Sequence, residues 1–205
     1  MISKSIYERL KKEFGQYSSW AIWKDGDKND NIDDLSVFDK NVHQVLNPEF
    51  VFCALNPGEF CKNSGIPVPD WRGFHVKGCC DYKIRYILRN TIFTGAYMTD
   101  VIKTISTISS DQLKRMLRNN EVAIEENIYI LCKELKILKS KPILIAFGND
   151  AYNLLCQCSA QMDKTLGCSL KIHKLTHYAH HIKLEDYKEE VSRLASLIQK
   201  GRRYL

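Results

Sequence analysis

The 205-residue chain is 44% apolar and 26% charged, with 10 glycines and 5 prolines, a composition that excludes collagenous, low-complexity and wholly disordered classes. Lysine and arginine outnumber aspartate and glutamate by 30 to 24, giving a formal net charge of +6. That excess favours a polyanionic partner through counterion release, but it is spread along the chain rather than gathered in one block. The apolar runs at 50–55 and 143–147 fall far short of the roughly 20 residues that span a bilayer, so no membrane contact is expected. The N-terminal stretch, with Glu8 among Lys4, Arg9, Lys11 and Lys12, lacks the apolar centre of a secretory signal. The expectation is a single domain over residues 1–205, cytoplasmic and monomeric, with one core.

Ile6, Leu10 and Phe14 recur at every fourth position and predict an opening amphipathic helix, with Trp20 and Trp23 packing it down. Between Asp25 and Asp34, acidic and amide residues alternate like half a calcium loop. Asp30 stands where that turn needs glycine, however, and Ser36 where it needs a bidentate glutamate; a flexible acidic loop is the reading. Phe50-Val51-Phe52-Cys53-Ala54-Leu55 is apolar on both faces, as an interior parallel strand requires, and it stops at Asn56-Pro57-Gly58. A long Gly- and Pro-containing loop leads to a helix begun by Asp81 and carried by Ile84, Ile87 and Leu88.

A second strand near Gly95-Ala96-Tyr97-Met98 ends at Thr99-Asp100. Ser109 and Gln112 have capping-box spacing ahead of Leu113, Met116 and Leu117. Ile124, Ile128, Leu131, Leu135 and Leu138 then mark a longer helix. Pro142 to Phe147 is a third strand, broken by Gly148 before a helix bearing Ala151, Leu154 and Leu155; Leu170 to Leu175 is a partly polar strand suited to an edge. The closing helix carries Leu184, Tyr187, Val191, Leu194 and Ile198. This alternation predicts an α/β fold, a three-layer αβα sandwich around a mainly parallel four-stranded sheet.

Ligands of such sheets bind beyond the carboxyl ends of the strands, which directs the functional search to Asn56-Pro57-Gly58, Thr99-Asp100, Gly148-Asn149-Asp150 and the stretch Thr176 to His181. The sequence contains no GxGxxG, P-loop or GxSxG elbow. Its eight cysteines include no CxxC pair, so buried thiols are expected rather than a zinc or iron–sulfur site.

Taken in order, these strand ends resemble the motifs of the uracil-DNA glycosylase superfamily. Cys53-Ala54-Leu55-Asn56-Pro57-Gly58 is similar to the first motif, in the Asn-Pro-Gly form of the mismatch-specific and single-strand-selective branches. Ala96 to Lys103 is similar to the second strand, Lys141 to Ala151 to the third strand and its helix, and Thr176-His177-Tyr178 to the second motif. The Asn-Pro-Gly triplet alone is equally an ordinary strand-exit turn; the order of the segments carries the resemblance.

The resemblance implies a metal-free, cofactor-free hydrolase that binds DNA, single- or double-stranded, and cleaves the N-glycosidic bond of a flipped, deaminated or modified base, leaving an abasic site. It implies that Asn56 orients water through its side-chain carbonyl, that Pro57 and Gly58 bring backbone close to DNA, and that His177 hydrogen-bonds the leaving base. Two departures stand out. Tyr178 and Ala179 occupy the places of Pro and Ser in the second motif, so His180 or His181 is a candidate to share the DNA contact. Asp100 replaces the Asn that reads uracil in several branches, and a carboxylate only accepts; Asp100 either reads a base N–H, helps activate water or serves as a structural cap.

Phe74 is the first candidate for the aromatic wall against the base, Phe60 the second, and Trp71 and Arg72 are candidates for backbone contact. Three alternatives stay open: a His177, His180 and His181 metal cluster; the same fold binding nucleic acid, nucleotide or a protein partner without base excision; and hydrolysis of a free nucleoside or nucleotide.

Overall fold

The computed structural model describes residues 1–39, 41–58, 69–107 and 109–202. Helix α1 (Lys4–Phe14) is capped by the Ser3 hydroxyl, which accepts the Ile6 N–H, and is buried through Tyr7, Leu10 and Phe14. A three-residue strand, β1 (Ser18–Trp20), follows. The acidic segment after it is held rather than loose: the Arg85 guanidinium donates to the carbonyls of Lys24, Lys28 and Asp30. The chain continues through β2 (Asn47–Ala54), α2 (Asp81–Leu88), β3 (Ala96–Asp100), α3 (Ser110–Leu117), α4 (Glu121–Leu138), β4 (Ile143–Phe147), α5 (Asn149–Gln157), α6 (Ser159–Leu166), β5 (Ile172–Leu175) and α7 (Leu184–Arg202).

The strands form one sheet in the order β1-β3-β2-β4-β5. β3, β2, β4 and β5 are mutually parallel, and β1 runs antiparallel along β3, pairing Ser18 with Thr99 and Trp20 with Tyr97. The α/β class holds and helices flank the sheet, but the sheet is five-stranded and mixed, which corrects the expected four strands. β1 carries too few residues for a periodicity to register, and its two buried serines are satisfied by polar partners: Ser18 Oγ donates to Phe14 O at 2.8 Å and Ser19 Oγ to Trp71 O at 2.9 Å. A second difference is α6, which follows α5 directly with Cys158 ending one helix and starting the next.

Side-chain alternation along the strands divides the core in two. Phe50, Phe52, Ala96, Met98, Ile145 and Phe147 pack with α2 and α7 on one face. Val51, Cys53, Tyr97, Leu144 and Ala146 pack with α1, α4, α5 and α6 on the other. The chain therefore leaves β2 towards one face and the adjacent strand β4 towards the other. Such a reversal opens a crevice at the carboxyl ends of the neighbouring strands, and the register sets Ala54 beside Asp100 there.

Candidate functional site

Asn56 stands two residues beyond the end of β2. Its Nδ2 donates to the carbonyl oxygens of Pro57 at 3.0 Å, Thr107 at 2.9 Å and Ile105 at 3.4 Å. Carbonyls only accept, so these contacts fix which way the amide lies and leave Oδ1 as a lone acceptor among the described residues. Two of these carbonyls, those of Ile105 and Thr107, belong to the segment after β3, which is stitched to the end of β2 and the residues after it by Val101 N–H to Ala54 O, Ile102 N–H to Leu55 O and Thr107 N–H to Pro57 O. That segment is braced in turn from α4. The Asn127 Oδ1 accepts the N–H groups of Lys103 at 2.6 Å and Thr104 at 3.1 Å, while its Nδ2 donates to Thr104 Oγ1 and Ala123 O.

Beneath it lies a buried ion pair, Lys103 Nζ to Glu134 Oε2 at 2.8 Å. Glu134 also accepts from Tyr97 Oη at 2.7 Å and from Thr99 Oγ1 at 2.9 Å, and Lys103 Nζ donates to the Asp100 backbone carbonyl. Breaking a pair so buried and so fully bonded is strongly unfavourable.

Asp100, last residue of β3, shares the face of Ala96 and Met98. It is only 6% exposed, and no hydrogen bond reaches its carboxylate among the described residues. Burial pushes its pKa up to about 7, against the opposing pull of Lys103. Asp81, at the start of α2, is buried too. Its Oδ2 accepts the Val76 N–H at 2.9 Å, and burial pushes its pKa up to about 6. These two are the only buried aspartates among the described residues.

His177 follows β5. Its Nδ1 lies 3.1 Å from the Ala179 N–H; a backbone amide can only donate, so the ring proton of the neutral imidazole resides on Nε2. Burial holds its pKa below the ordinary histidine value, which keeps it a neutral donor at physiological pH. Gly148, at φ +88°, makes room for it: a Cβ there would lie 3.1 Å from the His177 Cβ. Tyr178 stacks on His177 at 4.4 Å between ring centroids and meets Phe147 at 5.2 Å and Phe74 at 6.4 Å edge to face. The backbone of Phe74 is anchored by Trp23 Nε1, which donates to its carbonyl.

These groups converge. A cavity of about 320 Å³ is lined by Asn56, Pro57, Gly58, Phe74, Asp81, Asp100, His177 and Tyr178, among others. A second hollow of about 420 Å³ shares Asn56, Gly58, His177 and Tyr178 with it and extends to Thr107 and Asp150. The hollow thus brings together Asn56, Asp100, His177, Pro57, Gly58, Phe74 and Tyr178 of the sequence-derived set. His180 and His181 are exposed and, like the half-buried Arg72, line neither hollow. Phe60 lies outside the described residues.

Trp71 is a correction. It is 1% exposed, its indole Nε1 donates to Tyr7 Oη at 2.9 Å, and it packs against Trp20 and Phe38, so it is a core residue and not a DNA contact. Among the described residues no three His, Cys, Asp or Glu side chains gather to hold a metal ion, and the three histidines of the suggested cluster do not meet. No described helix is long and apolar enough to cross a membrane.

Sequence reasoning missed Asp81 as a wall residue, reading it only as a helix start, and missed Asn127 and Glu134. A signal for the last two was available: positions 127, 131, 134 and 138 fall on one stripe of α4, so both polar residues occupy core positions of the helix. No protein-family model and no curated protein sequence matches the chain.

Proposed function

We propose that the protein is a DNA glycosylase-like hydrolase that cleaves the N-glycosidic bond of a base flipped into the Asn56–Asp100–His177 hollow and leaves an abasic site. The observation that supports this reading best is the clamped Asn56 amide, which keeps Oδ1 as its one unengaged acceptor among the described residues, on a side chain that lines the same hollow as His177 with its Nε2–H donor. Glycosidic cleavage develops positive charge on the sugar and negative charge on the departing base. An acceptor that holds water and a neutral donor for a base oxygen answer those two demands, and Phe74 and Tyr178 supply aromatic surface for a nucleobase. Asn56 is no proton acceptor of any strength, so its contribution is to fix the attacking water in place. DNA would be met by the exposed Gly58 at the hollow, with Arg72, His180 and His181 as candidate contacts outside it.

The test is incubation with labelled single- and double-stranded oligonucleotides carrying uracil, hypoxanthine, xanthine or alkylated bases, followed by alkaline cleavage of abasic sites. Strand cleavage by the native chain that falls at least 100-fold in Asn56→Ala is expected. Cleavage of none of these substrates, or equal cleavage by Asn56→Ala, overturns the assignment; DNA binding without cleavage would instead favour a binding role for the hollow.

A further inference from the structure

The cavity's charge runs against that of the chain. The protein carries a formal net charge of +6, yet among the described residues its 320 Å³ cavity is lined by two aspartates, Asp81 and Asp100, and by no lysine or arginine. The nearest cations are committed elsewhere or stand outside. Lys103 Nζ is bonded to Glu134 and to the Asp100 backbone carbonyl, and Arg72 does not line the cavity. Asp100 is more than nine-tenths buried, and its carboxylate has no hydrogen-bond partner among the described residues. A carboxylate so placed is unfavourable until a ligand supplies a donor or a positive charge. Around it stand the rings of Phe74, Tyr178 and His177, and aromatic faces attract a cation that lies over them.

We propose that this cavity selects a cationic, N-alkylated purine base, an inference that rests on the glycosylase reading and names its substrate class. For such a base the negative charge that the His177 donor would answer does not develop, and the site's task reduces to holding the cation and the water. In a purine nucleotide alkylated at N3 or N7 the base already carries the positive charge, so when the bond between C1′ and the base nitrogen breaks, its electron pair neutralises the ring and the base departs uncharged. The water oxygen bonds to C1′ and its proton passes to solvent. A weak water-positioning group such as Asn56 suffices for so good a leaving group, and a carboxylate in the place of a base-reading amide favours the cation over neutral uracil.

The experiment compares DNA methylated to contain 7-methylguanine and 3-methyladenine with oligonucleotides containing uracil or hypoxanthine, measuring released base under single-turnover conditions with the full chain. The native protein is expected to release the methylated purines at least tenfold faster than uracil or hypoxanthine. Asp100→Asn and, separately, Asp81→Asn are expected to shift that ratio at least tenfold towards uracil. Release of uracil or hypoxanthine with methylated purines at background overturns the inference and leaves the glycosylase reading standing. Release of no base overturns the glycosylase reading. In that case calorimetry with 7-methylguanosine against guanosine decides the cavity's preference: tighter binding of the methylated nucleoside supports it, and equal or absent binding overturns it.

Discussion

Asn56 and Thr107 are tied together where the segments leaving β2 and β3 meet: the Asn56 amide donates to Thr107 O at 2.9 Å, and the Thr107 N–H donates to Pro57 O at 3.3 Å. The residue read as the water holder is thus a structural member of the loop that aims it. Asn56→Ala leaves the Thr107 carbonyl short of its donor, at a cost of about 1–3 kcal/mol for a buried polar group left unpaired. Asn56→Asp sets a carboxylate against three carbonyl oxygens and is expected to be less stable than Asn56→Ala, a ranking that urea denaturation reads directly. If the aspartate variant is as stable as the native chain, the amide orientation assigned here is wrong.

Asn127 acts one step further from the hollow. All of its hydrogen-bonding capacity is spent on the Lys103–Thr104 turn and on Ala123 of its own helix, so replacement by leucine leaves the N–H of the buried Lys103 and that of Thr104 without their acceptor. A loss of about 2 kcal/mol or more is expected, measured by thermal or urea unfolding. Because the turn sets the carbonyls that hold Asn56, a glycosylase single-turnover rate normalised to the folded fraction should fall with little change in KM, whereas a purely structural role would leave that normalised rate unchanged.

The core strands were legible because buried parallel strands are apolar on both faces, and Phe50–Leu55 and Ile143–Phe147 could be little else. The strand ends of the sheet, Asn56, Asp100 and His177 among them, followed from the rule for where such sheets bind ligands. What escaped was polar and buried. Ser18 and Ser19 look like loop residues until their hydroxyls are seen bonded to backbone carbonyls. Trp71 looked like a surface aromatic in a Gly-rich loop, yet its ring is drawn inward by Tyr7, Trp20 and Phe38, contacts that join residues more than thirty positions apart and leave no local pattern. Asp81 read as a helix-starting acid, and only the folding of α2 against the strand ends makes it a neighbour of Asp100 in one cavity.

The Lys103–Glu134 pair joins the end of β3 to α4 with both side chains buried, and Glu134 serves Tyr97 and Thr99 as well. Removing one partner alone strands the other charge. Lys103→Met and Glu134→Gln are each expected to lower stability by about 3–5 kcal/mol. The double variant should lose less than the sum, because the second substitution removes the charge that the first left unpaired. A double-mutant cycle by chemical denaturation checks this, and strict additivity would show that the two groups do not depend on one another.

The buried aspartates impose a pH dependence of definite sign. In the unfolded chain an aspartate titrates near 3.9, whereas burial raises Asp100 to about 7 and Asp81 to about 6. Across that interval the folded state binds more protons than the unfolded one, so the contribution of Asp100 to stability is greatest below about pH 4 and is lost as pH rises through about 7. His75 acts oppositely: burial lowers it to about 4, and its cost to the fold disappears as pH rises towards the ordinary histidine value. Native stability alone therefore mixes two trends. The comparison with Asp100→Asn isolates one, since the amide cannot titrate: measured from pH 4 to pH 8, the variant should gain on the native chain steadily, by about 4 kcal/mol at most for a proton affinity raised about a thousandfold. Urea unfolding at stepped pH supplies both curves, and a constant difference between them would mean that Asp100 is as well solvated in the fold as outside it.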